Sequence, residues 1–253
     1  MNKKMVIIGA GWLGDALAQQ AIQEGWEVQA THRHHSQQDY DRIFNLNEVG
    51  ELTHTVSLTG AYWVCAMSPG ERRGPSNYLQ TLEQALILAK HLDAQGFVLC
   101  SSTGVYDNES GHFDETSALS LSSERQQRLH KAEQLALEAG AKVVRLGGLV
   151  GPDREPGRFV SGKELSSHAE DTVNMVHRGD VINALLVIFE RFGNSDNIYN
   201  LVHPSHPNKG AYYRAHCQKL GTTEPSFSAV EATRRYIDGT AIEKLGFTYQ
   251  HDI

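Results

Sequence analysis

Three glycines stand close together near the start of the chain, in the segment Gly9-Ala10-Gly11-Trp12-Leu13-Gly14. They directly follow the apolar run of residues 5–8 and open a segment of helical periodicity. Glycines at this spacing permit a tight turn, a close approach of the backbone to a pyrophosphate and close packing of helix on strand. The pyrophosphate would lie at the helix N-terminus, where free amides favour anions. The pattern predicts a dinucleotide-binding turn, with a ligand-free glycine turn as the alternative.

The second apolar run ends at Thr31-His32-Arg33, without the carboxylate that would accept hydrogen bonds from the ribose hydroxyls of NAD. An arginine at this point suits the additional phosphate of NADP, so NADP is predicted as the cofactor, with NAD as the alternative. A solvated loop position for Arg33 stays open. His32, His34 and His35 suggest a metal, but partners at tetrahedral ligand spacing are missing, and no metal is predicted.

These residues need a scaffold of alternating strands and helices, and the N-terminal half has that pattern. Apolar runs at residues 5–8, 27–31, 43–46, 62–67, 97–100 and 142–146 are typical of strands. Between them, two apolar helical faces are formed by Leu13, Leu17, Ala21 and Ile22, and by Leu79, Leu82, Leu86 and Ala89. The fold predicted is α/β, a Rossmann doubly wound parallel sheet with a smaller C-terminal substrate-binding part.

Glycines and prolines become frequent after Arg145, which is typical of loops. This change predicts a boundary between a dinucleotide-binding domain, 1–150, and a smaller substrate part, 151–253. Residues 172–203 are expected to return to the Rossmann core. Within this range a helix is predicted at 180–191 and a strand at 198–202, and after it a further helix at 210–220.

Composition excludes several classes of function. The 253 residues are 40% hydrophobic and 21% charged, and no apolar run approaches the length of a membrane span. A formal net charge of -7 argues against nucleic acid or anionic membranes as partners. The chain has three cysteines, an odd number, and their spacing does not match a metal-binding motif. This pattern is typical of proteins in a reducing compartment, so a cytoplasmic protein is expected.

Later segments carry a resemblance to a known superfamily. Ser101-Ser102-Thr103-Gly104-Val105-Tyr106, the Arg145-to-Pro152 stretch, His177-Arg178-Gly179-Asp180-Val181 and Ile198-Tyr199-Asn200 resemble, in order, motifs of the extended short-chain dehydrogenase/reductases, the nucleotide-sugar epimerases and dehydratases. Trp12-Leu13-Gly14, Arg72-Arg73, Pro156-Gly157-Arg158-Phe159 and Gly162-Lys163 are similar to an atypical, YeeZ-like bacterial branch of that superfamily.

The resemblance implies roles for individual residues. It implies nicotinamide cofactor contacts for the glycine loop with Thr31, Arg33, Ala66 and Met67, and it places Ser102 at the catalytic Ser/Thr position. It also implies a small-molecule substrate held by Arg158 and Lys163, with Arg154 beside them, although a solvated basic loop remains open. A homodimer is a family expectation.

One family feature is missing, because no tyrosine occurs between Tyr106 and Tyr199 and the Tyr-x-x-x-Lys pair is therefore absent. An Ala132-Glu133-Gln134 anchor aligns Arg125 and Leu129 with that pair, and a two-residue shift aligns Gln127 and Lys131 instead. Tyr106, Glu124 and His130 are the candidate substitute proton donors. The expectation is an epimerase-like oxidoreductase with an altered proton relay, acting on a small sugar-like or anionic metabolite. The alternative is an NADP(H)-binding sensor or assembly partner.

Overall fold

A mostly parallel eight-stranded sheet forms the centre of the computed structural model, which describes residues 3–33, 38–47, 49–69 and 77–253. Its strands, in chain order, are β1 (Lys4–Ile8), β2 (Glu27–His32), β3 (Asp41–Leu46), β4 (Leu52–His54), β5 (Tyr62–Cys65), β6 (Gly96–Ser102), β8 (Lys142–Leu146) and β12 (Ile198–Leu201). They lie in the order β12-β8-β6-β5-β1-β2-β3-β4, and only β4 is antiparallel to its neighbour.

The strand order reverses between β1 and β5, as in a doubly wound Rossmann sheet. In such sheets ligands bind outside the carboxyl ends of the strands at the reversal point. The glycine segment follows β1, and Ala66 and Met67 follow β5. The topology therefore brings the two predicted cofactor segments to the same crevice.

The described part of the chain contains six α-helices. They are α1 (Gly14–Gln23), α2 (Tyr78–His91), α3 (Glu124–Glu138), α4 (Pro156–Phe159), α5 (Arg178–Glu190) and α6 (Lys209–Leu220). Leu17 of α1 and Leu185 of α5 belong to the core on one face, whereas Leu82 of α2 and Ala136 of α3 belong to the core on the other. Burial of these apolar stripes is the main force that holds helices on the sheet.

Three parallel two-stranded ribbons lie outside the main sheet. They pair β7 (Gly111–Phe113) with β14 (Arg235–Ile237), β9 (Gly148–Val150) with β11 (Met175–His177), and β10 (Glu164–Leu165) with β13 (Ser226–Phe227). Each ribbon joins segments far apart in the chain, which is why local sequence patterns did not predict them. No helix among the described residues is both long and apolar enough to cross a lipid bilayer.

The predicted α/β class and doubly wound sheet are confirmed, and all seven predicted strands lie in the main sheet. The prediction that Ile22 faces the core is wrong, since 40% of this residue is exposed. It lies in the last turn of α1, one position beyond Ala21, and a step of about 100° carries it off the buried stripe. The boundary at residue 150 stays a prediction.

Candidate functional site

The glycine turn lies where β1 ends and the chain enters α1. Gly9 has φ of +93°, and a Cβ on it would lie 2.9 Å from Met67 Cγ. A Cβ on Gly14 would collide with the carbonyl oxygen of Gly9. A Cβ on Gly11, in contrast, would meet no described atom within 4 Å. The first glycine is thus needed for the turn, the third for helix packing, and the second leaves open space.

Hydrogen bonds from neighbouring strands hold this turn in place. The Gly9 amide donates to Thr31 Oγ1 at 3.1 Å, and the Ala10 amide donates to the Thr31 carbonyl at 2.9 Å. The Ala66 amide donates to the Ile8 carbonyl at 2.9 Å. Thr31 is only 2% exposed, so its hydroxyl supports the turn from the buried side. No side chain caps α1, which leaves first-turn amides for an anion.

The end of β2 carries charges of both signs. Arg33 is exposed, as a phosphate-binding residue at this point must be. His32 Nε2 lies 2.9 Å from Oδ1 of Asp41, the first residue of the neighbouring strand β3. Tyr40 donates its hydroxyl hydrogen to Asp15 Oδ1 at 3.0 Å, and burial together with Asp15 raises the pKa of Tyr40 to about 12. His34, His35, Arg72 and Arg73 lie outside the described residues.

Trp12 joins the glycine turn to two later segments. Its Nε1 donates to the Pro152 carbonyl at 2.8 Å, and the Arg178 Nη1 donates to the Trp12 carbonyl at 3.1 Å. The guanidinium carbons of Arg154 and Arg178 lie 4.2 Å and 4.5 Å from the centroid of the indole ring. These are cation–π distances. The second variable residue of the glycine motif therefore holds these two later segments against the glycine turn.

The helical segment that contains Arg178 begins at a histidine cap. His177 is the N-cap of α5, and its Nδ1 accepts a hydrogen bond from the Gly179 amide at 3.1 Å. Burial lowers the pKa of His177, as does the nearby His251. Asp180 lies in the first turn, is 0% exposed, and accepts hydrogen bonds from the Gln250 and His251 amides.

Ser102 lies at the carboxyl end of β6, partly exposed. Its Oγ accepts a hydrogen bond from the Gly104 amide at 3.1 Å and so caps the 3₁₀ turn Thr103–Val105. The hydroxyl hydrogen is free to be donated to a ligand oxygen. Ser102 thus caps the turn after the strand, and its position is also compatible with the expected ligand contact.

Arg125 approaches Ser102 from the first turn of α3. A Cβ on Gly104 would lie 3.8 Å from Arg125 Nε and 3.3 Å from Ser102 Oγ. Gln127, aligned with the missing tyrosine in the other register, instead donates to the Leu121 carbonyl at 2.9 Å. Leu129, four residues after Arg125, is buried with 1% exposure. An arginine and a leucine therefore occupy the place beside Ser102.

Tyr106, a candidate proton donor, lies in a buried hydrogen-bond network. It is 0% exposed, donates to Asn200 Oδ1 at 2.8 Å and accepts from Arg145 Nη1 at 2.8 Å. Arg145 also forms a buried ion pair with Glu133, with 2.8 Å between Nη2 and Oε2. Burial raises the pKa of Tyr106, although Arg145 opposes this. The expectation that Tyr106 supplies a proton to a ligand does not fit this geometry, because its hydroxyl is sealed from solvent and already occupied.

The other two candidate donors occupy different parts of α3. Glu124 is exposed in the first turn. His130 is partly buried, and its Nδ1 has no hydrogen-bond partner within the described chain. Neither residue is seen to contact Ser102 in the described chain, and their role as proton donors stays a prediction.

A cavity of about 570 Å³ lies next to the loop that Trp12 contacts, lined by Leu149, Asp153, Arg154, Glu155, Arg158 and Phe159. Arg158 pairs with Glu155 at 3.5 Å and stays largely exposed. Lys163, predicted with Arg158 as a substrate contact, is not among the lining residues. Its Nζ donates to the Phe159 carbonyl at 2.6 Å, which ties it to α4, the short helix that contributes Arg158 and Phe159 to the cavity.

Sequence reasoning missed Arg235, which reaches the Ser102 turn from β14. Its Nη2 donates to the Thr103 carbonyl at 2.5 Å. The two residues are separated by more than half of the chain, and no local pattern marks the arginine. Only the pairing of β7 with β14 brings it to this place.

Comparison with solved structures defines the fold. The fold is that of the NAD-dependent epimerases and dehydratases: a MoeE5 structure with UDP-glucose and NAD superposes with a TM-score of 0.79 at 17% identity, over 99% of this chain and 94% of that one. A UDP-glucuronic acid 4-epimerase from Bacillus cereus, in complex with NAD, gives a TM-score of 0.76 at 13% identity, over 98% and 92%. No protein-family model matches the chain.

The particular family is shown by sequence. Protein YeeZ of Escherichia coli strain K12 is 30% identical to this chain over an alignment of 270 positions. The alignment covers 98% of this chain and 96% of YeeZ. The chain belongs to the YeeZ family. The resemblance drawn from its motifs is thereby confirmed.

Proposed function

We propose that this chain binds a nicotinamide dinucleotide in the crevice between β1 and β5 and acts as an epimerase-like oxidoreductase on a small sugar-like or anionic metabolite. The observation that carries the proposal is the open space at Gly11, between a turn that only glycine permits and an uncapped helix N-terminus. A pyrophosphate needs both a close approach and unsatisfied amides. The likeness to proteins solved with NAD supports the same assignment.

NADP is the proposed form of the cofactor. Arg33 is exposed at the end of β2, and the strand has no carboxylate at that point. The negative charges of Asp15 and Asp41 are each engaged, by Tyr40 and by His32, which limits their repulsion of a phosphate. A charge-assisted hydrogen bond of about 1.5–3 kcal/mol corresponds to roughly a ten- to hundredfold preference for NADPH over NADH.

The bound cofactor would accept or donate a hydride, and this chain's residues would orient the ligand. Ser102 retains a hydroxyl hydrogen for a ligand oxygen. Arg125 cannot replace the tyrosine as a proton carrier, because a guanidinium stays protonated near neutrality. General acid–base help contributes about 10²–10⁴-fold, so turnover is expected to be slow unless the substrate itself needs no strong proton donor.

The same substitution favours a second function, in a different class. A protein that keeps the cofactor turn but has arginine in place of the tyrosine would serve as an NADP(H)-binding sensor or assembly partner. Purified protein assayed with NADPH and NADP across nucleotide-sugars and simple carbonyls separates the two functions. Turnover of any of them supports the oxidoreductase, whereas NADPH-dependent capture of a protein partner, without turnover, supports the sensor.

Cofactor binding is tested by calorimetric titration with NADPH and NADH against the Gly11→Val variant. A Cβ at this position meets no described atom within 4 Å, so we expect the variant to fold, and its branched side chain should fill the space for the pyrophosphate. We expect at least a hundredfold loss of affinity. Equal affinity of Gly11→Val and the wild type would overturn the proposed site.

The choice of cofactor is tested with Arg33→Gln in the same titrations. NADPH affinity should fall about ten- to hundredfold, and NADH affinity should stay unchanged, because only NADPH carries the extra phosphate. Tighter binding of NADH than NADPH by the wild type would contradict the NADP assignment.

A further inference from the structure

Two arginines bracket the turn that holds Ser102. Arg235, on β14, donates from Nη2 to the Thr103 carbonyl at 2.5 Å. Arg125, on α3, has its Nε 3.8 Å from the position of a Cβ on Gly104, the next residue. The same Cβ position is 3.3 Å from Ser102 Oγ. Two positive charges and one hydroxyl group therefore gather at the carboxyl end of β6.

The charge of Arg235 has no described counterion. The residue is half-buried, its Nε is buried without a hydrogen-bond partner, and no carboxylate of the described chain pairs with it. Burial lowers the pKa of Arg235, with Tyr106 and Asp107 opposing the shift. The Nε itself is closed to solvent, but the residue as a whole stays partly exposed, and an oxyanion is the natural acceptor for a guanidinium.

The strand that carries Arg235 is firmly held. Asn174 Nδ2 donates to the Arg235 carbonyl at 2.8 Å, and Asn174 Oδ1 accepts from the Ile237 amide at 3.0 Å. The strand also pairs with β7. The guanidinium is thus presented by a rigid backbone, which lowers the entropy lost when a ligand binds.

We propose that Arg125 and Arg235 form an anion subsite beside Ser102, which takes the carboxylate or phosphate at the reacting end of the substrate. The inference rests on the proposed function and narrows its substrate class. Arginine binds oxyanions through two parallel hydrogen bonds. The net charge of -7 means that anion binding here requires a local site, since the whole molecule repels anions.

The test uses cofactor-free protein and simple probes. Titration calorimetry at constant ionic strength compares D-glucuronate and inorganic phosphate with D-glucose, which is neutral but otherwise close to glucuronate in shape. The wild type should bind each anion at least tenfold more tightly than glucose. Arg125→Gln and Arg235→Gln should each weaken anion binding roughly tenfold or more. Arg234→Gln, at the exposed neighbouring residue, is the matched control and should change nothing.

Loss of the Thr103 contact could unfold Arg235→Gln, so circular dichroism accompanies each titration. If that variant does not fold, Arg235→Lys, which keeps a charge and a donor, and Arg125→Gln, at an exposed position, decide the question. Absence of anion binding, unchanged binding in the Arg125 and Arg235 variants, or equal loss in Arg234→Gln would each overturn the subsite.

Parallel titrations with NADPH distinguish the two proposals. Anion binding that depends on both arginines, in a protein that does not bind NADPH or NADH, would leave the subsite standing and remove the cofactor proposal. Cofactor binding without arginine-dependent anion binding would do the reverse.

Discussion

The hydroxyl of Tyr106 links two strands of the sheet through one buried network. Tyr106 follows the 3₁₀ turn after β6, and its hydroxyl contacts Arg145 on β8 and Asn200 on β12. Arg145 in turn forms an ion pair with Glu133 on α3. Glu133 also accepts from Ser101 Oγ at 2.6 Å. A buried network of this kind is stabilising only while every member has its partner. Tyr106 therefore fixes the backbone on which Ser102 is carried.

Removal of this hydroxyl should lower stability and leave ligand binding largely intact. Tyr106→Phe leaves Arg145 Nη1 without its acceptor and Asn200 Oδ1 without its donor, which should cost about 1–3 kcal/mol. Urea unfolding monitored by circular dichroism measures the change. Tyr236→Phe, whose residue is 43% exposed, is the control and should change stability by less than about 0.5 kcal/mol. Equal stability of Tyr106→Phe and the wild type would contradict the structural role.

At the scale of elements, the side chain of Trp12 joins the glycine turn to the loop after β9. Trp12 packs its indole ring against Arg154 and Arg178 and bonds to Pro152. The cavity that contains Arg154 and Arg158 begins next to this contact. Trp12 therefore connects the glycine turn physically to the loop that lines the cavity.

Substitution of Trp12 should weaken the contact between the glycine turn and the loop, and Trp12→Ala should weaken it more than Trp12→Phe. Trp12→Phe keeps a ring for the two arginines but loses the bond to Pro152, at a cost of about 0.5–1.5 kcal/mol. Trp12→Ala also loses two cation–π contacts, worth about 0.5–1 kcal/mol each. Hydrogen exchange of residues 152–159 should accelerate in the same order. Unchanged exchange in Trp12→Ala would show that this loop is held by other contacts.

At the scale of the whole molecule, partly buried histidines make stability depend on pH. Burial lowers the pKa of His206, and His203 and His112 lower it further, while the Val173 carbonyl and Asp238 oppose the shift. Burial also lowers the pKa of His177. The unfolded chain, with histidine pKa values near 6.5, binds more protons than the folded one below that pH. The contribution of these histidines is therefore complete above about pH 6.5 and is lost as the pH falls through their lowered pKa values.

We expect the free energy of unfolding to decrease between about pH 7 and pH 5, and His206→Gln to make this decrease shallower. Urea unfolding at several pH values measures the slope. His54→Gln, at an exposed position on β4, is the control and should retain the wild-type slope. A slope that His206→Gln leaves unchanged would contradict a contribution from this residue.

The sequence by itself determined the fold class, the seven predicted strands and the glycine turn, because strand periodicity and glycine spacing are local properties of the chain. The absence of the tyrosine was also visible there, since it needs only counting. Tertiary structure alone decided that Tyr106 belongs to a buried network, that Arg125 rather than Gln127 lies beside Ser102, and that Arg235 joins them. Those contacts depend on strand pairing and helix packing between distant segments, and the separate segments carry no local signal of their partners.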